Sequence, residues 1–152
     1  MFVALNSLML PVGGLVYSRS QMPQIPEANK NTYLNYFKNR GISVKPKVVK
    51  LSSLRLTQNE INKVKVWKLM QAIRENKKRF RSMPKIIVSA DNYIVDGSHR
   101  FVAALNLDEW DEIEVWKIDL PIKEILEMSS HLVGIVEYRT VSDTKLVDKY
   151  HQ

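Results

Sequence analysis

The stretch that most restricts the fold is the junction at residues 93–105, which reads YIVDGSHRFVAAL. An apolar run typical of a buried strand meets five polar or glycine residues, and a small apolar pattern then resumes. We predict a strand that turns into a helix over residues 99–106, with Phe101, Ala104 and Leu105 on its buried face. Such a junction gathers unpaired backbone N–H groups at the helix start, which together with the helix dipole favour an anion, most readily a phosphate.

Most side chains of the turn agree with this anion hypothesis. Gly97 permits close approach of a ligand, and Ser98 can cap the helix and donate a hydroxyl. Arg100 offers a planar cationic fork suited to phosphate, and His99 is a residue type that titrates near neutral pH. Asp96 is the exception, because a carboxylate repels phosphate unless it binds Mg²⁺ or acts as a base. The alternative is a capped helix with a solvated salt bridge.

Hydrophobic periodicity predicts the other elements around this junction. Two short apolar runs at 86–88 and 93–95 flank a polar turn and indicate a β-hairpin. The remaining predicted elements are a short helix carrying Leu34 and Phe37 and ended by Gly41, strands at about 47–51 and 112–118, and a last short helix that Pro121 opens.

The clearest helical period lies upstream of the hairpin. Apolar residues recur every three positions and indicate the buried stripe of a long helix. The members of this stripe are Ile61, Val64, Trp67, Met70 and Ile73, widened by Val66 and Leu69. Thr57 stands three residues before Glu60, the spacing of a capping box, so the helix is predicted to start at this pair.

Charge is unevenly distributed over the 152 residues, whose net charge is +7. Residues 62–85 contain nine Lys or Arg and one acid, whereas residues 106–127 contain eight acids and two lysines. A basic block of this density favours an anionic partner, with nucleic acid ahead of membrane, and the alternative is a solvated helix face. The residues expected to contact phosphates of DNA are Lys77, Lys78, Arg79 and Arg81.

Two further observations exclude classes of protein. The chain has no cysteine, which excludes disulfides, thiolate metal sites and cysteine nucleophiles and fits a cytoplasmic location. The first seventeen residues are apolar but lack a basic start and a cleavage site, and Pro11, Gly13 and Gly14 break the run. We therefore expect no membrane segment, and an arm that packs on this domain or on a protein partner.

The order of these elements resembles the ParB/sulfiredoxin-like superfamily, particularly ParB-like nuclease domains of phages. The similarity lies in PKIIV, YIVDGSHRFVAA and the helix after Pro121, within residues 47–128. It implies a mixed α/β domain with a small mixed sheet and flanking helices. Residues 1–46 then form an N-terminal arm and residues 129–152 a C-terminal extension. A phage origin would place the chain in the host cytoplasm.

The resemblance also implies roles for individual residues. Gly97, His99 and Arg100 match a phosphate-binding turn, whereas Ser98 stands where sulfiredoxins have their catalytic cysteine, so sulfiredoxin chemistry is excluded. Kinase-like relatives use an acid near the first long helix, and Glu60 is the matching candidate. Partition proteins carry paired arginines in this turn, which the present chain lacks.

Three functions remain open at this stage. In the first, Asp96 and Glu60 hold Mg²⁺ and, with His99, act as a metal-dependent nuclease or as an NTPase or phosphotransferase. In the second, the turn binds DNA or a nucleotide, such as a nucleoside triphosphate, without chemistry. In the third, the chain is a structural or interaction protein, for example a phage component that retains only the fold.

Overall fold

A four-stranded mixed sheet forms the centre of the protein. The computed structural model describes residues 8, 10, 11, 13–139 and 148–149. The strands of the sheet are β1 (Val44–Lys50), β3 (Ile86–Ser89), β4 (Ile94–Asp96) and β5 (Glu112–Ile118), and a separate pair is formed by β2 (Glu60–Ile61) and β6 (Asp148–Lys149). The order in the sheet is β1-β5-β3-β4, with β3 parallel to β5 and the other neighbours antiparallel.

Helices cover both faces of this sheet. They are α1 (Lys30–Lys38), α2 (Lys63–Glu75), α3 (Lys78–Ser82), α4 (Ser98–Leu107) and α5 (Ile122–Ser129). Because successive side chains of a strand point to opposite faces, the apolar runs contribute residues to two separate cores. In β4, Ile94 packs in the core with α2 and α4, whereas Val95 packs in the core with α1 and α5. The mixed α/β fold class predicted from the sequence is confirmed.

Most local predictions are confirmed. The hairpin forms, with β3 and β4 antiparallel and Asn92 in its turn at φ 66°, a conformation that asparagine tolerates well. The predicted strand 112–118 and the helices after Gly97 and Pro121 are present within a residue or two. Strand β1 begins at Val44, three residues before its predicted start, because it pairs along the whole of β5.

The predicted capping box is wrong. The long helix begins at Lys63, and the side chain of Asn62 caps it by accepting the backbone N–H of Lys65 at 3.1 Å. The Thr57 hydroxyl instead donates to the backbone carbonyl of Ile94 at 2.7 Å, which fixes the preceding loop to β4. Glu60 lies in β2, outside the helix.

The predicted apolar stripe is only partly correct. Val66, Met70 and Ile73 form the buried face of α2. Ile61 is buried but belongs to β2, and the side of the helix that carries Val64 is exposed to solvent, with Val64 itself 50% exposed. A period of three drifts around a helix of 3.6 residues per turn, so the two ends of such a stripe cannot share one face.

The segment predicted as an N-terminal arm contributes to the core. Tyr33, Leu34 and Phe37 of α1 are buried in the same cluster as Ile87 and Ile118 of the sheet. Near the other end of the chain, residues 132 and 136 join this cluster. The domain limits at residues 46 and 128 stay predictions. Within the described part of the chain, no helix has the length and apolar character that crossing a bilayer requires.

Candidate phosphate-binding site

The strand-to-helix turn is built around Gly97. This residue caps α4 with φ 102° and ψ 25°, in the left-handed region that L side chains rarely adopt. A Cβ atom added here would lie 2.9 Å from Nη2 of Arg100 and 2.9 Å from Cγ1 of Ile86. Only glycine therefore allows β4 to turn directly into α4 while Arg100 folds back over the turn.

Asp96 is held between two cations. Its Oδ2 atom lies 3.0 Å from Nζ of Lys30, on α1, and 3.3 Å from Nη2 of Arg100, one helical turn further on. The side chains of Asp96 and Lys30 are only 14% and 13% exposed, so these contacts are poorly screened by water. Asp96 thus fixes the position of Arg100 and ties α1 to the turn.

His99 is a hydrogen-bond acceptor in this structure. Its Nε2 atom accepts the backbone N–H of Asn62 at 3.0 Å, which joins the start of α4 to the cap of α2. Burial, and after it the positive charges of Lys65, Arg19, Arg139 and Arg100, together lower the pKa of His99 to about 3. His99 is therefore neutral at pH 7, with its proton on Nδ1.

A cavity of about 270 Å³ opens at this turn. The residues of the turn that line it are Asp96, Gly97, Ser98, His99 and Arg100, so the structure brings five of the predicted site residues together. Ser98 is buried, at 6% exposure, at the first position of α4. Arg19 and Lys65 add two positive charges to the lining, and Asp96 is its single acidic residue among the described residues.

Glu60 lies outside this group. It does not line the described cavity, and its Oε1 atom accepts the backbone N–H of Arg19 at 2.8 Å. Glu60 is buried, so its carboxylate serves to hold the N-terminal segment against β2. The structure therefore gives Asp96 and Glu60 different partners rather than a common ligand.

A Mg²⁺ ion held by Asp96 and Glu60 does not fit these surroundings. Oδ2 of Asp96 is engaged by Lys30 and Arg100, and Oε1 of Glu60 by a backbone amide. The neighbouring cations would repel a divalent ion, since Mg²⁺ sites are normally rich in uncompensated oxygen ligands. Among the residues that the structure describes, no three His, Asp or Glu side chains form a group that could hold a metal.

The predicted DNA-contacting residues form a separate surface around α3. Lys77 and Lys78 are exposed, and Nζ of Lys77 lies 3.2 Å from Oε2 of Glu109. Arg81 lines a neighbouring cavity of about 600 Å³ rather than the cavity at the turn. The side chain of Arg79 lies outside the described part of the structure.

This larger cavity adjoins the cavity at the turn. Met83, Pro84 and Arg100 line both of them. Its aromatic residues are engaged within the protein, since Phe80 stacks on Trp110 at 4.3 Å and the ammonium group of Lys85 lies 5.4 Å from the ring centre of Trp116.

Sequence reasoning missed the cations that distant segments bring to the turn. Arg19 and Arg139 lie outside the region of resemblance, and Lys30 belongs to the predicted arm. Lys65 belongs to the predicted basic block, which was the one signal that could have identified it. No local pattern marks the other three, because their proximity to Gly97 arises only from packing.

Comparison with known proteins gives a limited result. No family model matches the chain, and no curated protein matches it. Two similar solved structures are N-domains of a pNOB8-like ParB. The match to one has a TM-score of 0.42 at 16% identity and covers 58% of this chain and 35% of that ParB chain. The match to the other has a TM-score of 0.40 at 16% identity and covers 58% of this chain and 32% of that ParB chain. The matched region thus spans roughly a third of either ParB structure.

Proposed function

We propose that this protein binds the phosphate group of a nucleotide or nucleic acid in the cavity at the turn. The observation that carries the proposal is the composition of the lining, in which three cationic side chains face one carboxylate at a helix N-terminus. The first N–H groups of a helix have no partner within the helix, and together with the dipole of α4 they favour an anion at this end. Arg100 supplies the fork for phosphate oxygens, Ser98 a hydroxyl and Gly97 the room for close approach.

Binding without chemistry is the function that the geometry supports best. A nuclease, NTPase or phosphotransferase needs a group free to take a proton or to hold a metal. Oδ2 of Asp96 lies between two cations, and Nε2 of His99 already accepts the N–H of Asn62. Catalysis by Asp96, His99 and Glu60 is therefore the alternative function. A structural role as a phage component ranks third.

Replacing Asp96 by asparagine distinguishes the binding hypothesis from the enzyme hypothesis. If the site binds an anion, removal of the nearby negative charge should strengthen binding of a nucleoside triphosphate by roughly tenfold, because a repulsive charge is lost. Isothermal titration at fixed ionic strength measures this change. Asp119→Asn is the matched control, since it removes the same charge from an exposed position that does not line the cavity.

The opposite outcome would support the enzyme. Wild-type protein that hydrolyses DNA or a nucleotide in Mg²⁺, and loses this turnover in Asp96→Asn, would make Asp96 catalytic and overturn the binding proposal. Loss of nucleotide binding in the variant, with Asp119→Asn unaffected, would also overturn it.

The exposed basic residues around α3 favour a second function, non-specific binding to DNA. Lys77, Lys78 and Arg81 are exposed and lie outside the cavity at the turn. The ion pair of Lys77 with Glu109 is also exposed and therefore weak, so a phosphate can replace the glutamate. This binding would occur beside any nucleotide binding and would not depend on it.

Neutralising the basic surface should selectively remove DNA binding. We expect a variant with glutamine at Lys77, Lys78, Arg79 and Arg81 to reduce the slope of log K against log salt by about 3, since each lost phosphate contact lowers it by nearly one. Fluorescence anisotropy with a labelled duplex at several salt concentrations measures the slope. The control variant replaces four exposed lysines elsewhere by glutamine, namely Lys45, Lys47, Lys50 and Lys123. An equal reduction of the slope in this control would contradict a DNA-binding surface at α3.

A further inference from the structure

The larger cavity is lined by aromatic side chains, those of Phe80, Trp110 and Trp116. Phe80 and Trp110 form a stacked pair, with ring planes inclined by 23°, and both are only partly buried against the core. Each ring of a stacked pair has a second face, so a flat ligand that enters the cavity can extend the stack. The cavity volume of about 600 Å³ lies in the range of roughly 300–1,000 Å³ in which proteins hold small organic ligands.

Trp116 offers a second ring surface in the same cavity. It is partly buried, and the ammonium groups of Lys85 and Lys38 lie 5.4 and 5.6 Å from its ring centre. The side chain of Lys85 is 37% exposed, and cation–π contacts at exposed positions are weak. A flat ligand can therefore take the place of Lys85 over Trp116, which leaves the ammonium group available to a phosphate.

The charged residues of this cavity do not favour an anion inside it. Glu112 and Glu114 line the cavity beside the bases Arg81 and Lys85. Oε1 of Glu114 lies 3.2 Å from Nζ of Lys85, so the lining carries hydrogen-bond acceptors as well as donors. A phosphate in the cavity would meet carboxylates, whereas a nucleobase is uncharged at neutral pH and carries both donors and acceptors on its edges. The mixed lining and the aromatic rings thus match a nucleobase.

The approach to this cavity is basic. Helix α3 carries Lys78 and Arg81, of which Arg81 lines the larger cavity and Lys78 lines a shallow one of about 570 Å³. Met83 and Pro84 line both of these cavities, so the two adjoin directly after α3. Phosphates bound along α3 would therefore hold a strand at the mouth of the aromatic cavity.

We propose that this cavity binds an unpaired base of single-stranded DNA while the neighbouring phosphates contact α3. A base in a duplex is paired and stacked between its neighbours, and it must leave the helix before it can enter a cavity. Aromatic rings beside a basic groove bind single strands with little regard to sequence, because every base has a π face. The inference rests on the second proposed function, DNA binding at α3, and adds that single strands are preferred over duplex.

Three labelled DNA ligands of equal length test the proposal in wild-type protein: a single strand, its duplex, and a strand of abasic sites. Fluorescence anisotropy at one fixed ionic strength measures the three dissociation constants. We expect the single strand to bind roughly tenfold or more tightly than either of the others. Phosphate contacts alone would favour the duplex over the single strand, since duplex DNA has the higher charge density. Binding of the duplex or of the abasic strand as tight as that of the single strand would overturn the proposal.

Variants of the rings test where the base binds. Trp110→Ala should weaken single-strand binding by roughly tenfold and leave duplex binding unchanged, since loss of a stacking ring affects only an unpaired base. Trp110→Phe keeps a ring and should recover most of the affinity. Tyr138→Ala is the matched control and should bind like wild type, because Tyr138 is 41% exposed and lines neither of these cavities.

Trp110 also packs on Phe80, so Trp116→Leu repeats the test at a ring outside this stack. Wild-type affinity of both tryptophan variants for the single strand would contradict the proposal. Circular dichroism checks the fold of each variant, and the abasic strand decides the matter if neither variant folds.

The inference and the function on which it rests fail in different ways. If single strand and duplex bind wild type equally, and the variant with glutamine at the four basic residues around α3 loses both, the basic surface binds DNA and only the base cavity is wrong. If a free nucleoside monophosphate displaces the strand at a concentration near the strand's own dissociation constant, the cavity belongs to free nucleotides and the proposal is wrong. If wild type binds neither form of DNA, the second proposed function is wrong as well.

Discussion

Replacing Gly97 by alanine is expected to lower the free energy of unfolding by about 3 kcal/mol. The backbone at φ 102° is unfavourable for any residue with a Cβ atom. The new methyl group would also lie 2.9 Å from Cγ1 of Ile86, a side chain that is 3% exposed, so this buried isoleucine would have to shift. Urea unfolding at pH 7 measures the loss.

Gly134→Ala is the matched control for this prediction. Gly134 has φ 85°, yet nothing lies within 4 Å of its added Cβ atom, so the substitution adds backbone strain alone. We expect it to cost about 1 kcal/mol. Equal losses in the two variants would show that the contact with Ile86 has no energetic effect. Gly97→Ala should in addition weaken phosphate binding, because its methyl group would lie 2.9 Å from Nη2 of Arg100.

Acidification from pH 6.5 to pH 4.5 is expected to remove about 2 kcal/mol of stability through His99 alone. The pKa of His99 falls from 6.5 to about 3 in the folded protein, chiefly because of burial. Between these values the unfolded chain binds a proton that the folded protein does not. The contribution of His99 is therefore fully present above pH 6.5 and is lost as the pH falls towards 3.

The variant His99→Gln tests whether His99 causes this loss of stability at low pH, since the glutamine amide oxygen can still accept the N–H of Asn62 but does not titrate. Urea midpoints between pH 7 and pH 4.5 should change less in this variant than in wild type. His131→Gln, at an exposed position, should keep the wild-type slope. A slope for His99→Gln equal to that of wild type would mean that carboxylates, rather than His99, govern the acid sensitivity.

Local patterns predicted the parts of the fold that short-range physics controls. The hairpin at residues 86–96, the helix after Gly97 and strand β5 follow from alternating or continuous apolar runs and from a glycine at the turn. The start of α2 was mispredicted because Thr57 and Glu60 have the spacing of a cap but are used for other contacts. Thr57 bonds to Ile94 and Glu60 to the amide of Arg19, partners 37 and 41 residues away.

The candidate site likewise has a part that local patterns predict and a part that they do not. Gly97, Ser98 and Arg100 come together at a helix start because they are neighbours in the chain and a turn of this kind needs only local backbone preferences. The charges that surround them depend on how distant segments pack. Packing of α1 brings Lys30 to Asp96, and Arg19 lines the cavity from the N-terminal segment. The charge of Arg139 acts on His99 from the segment that follows the backbone pairing with Gln24, and Glu60 accepts the N–H of Arg19 instead of joining the site. Electrostatic interactions depend on distance in space, and that distance is set by how the two cores pack rather than by position along the chain.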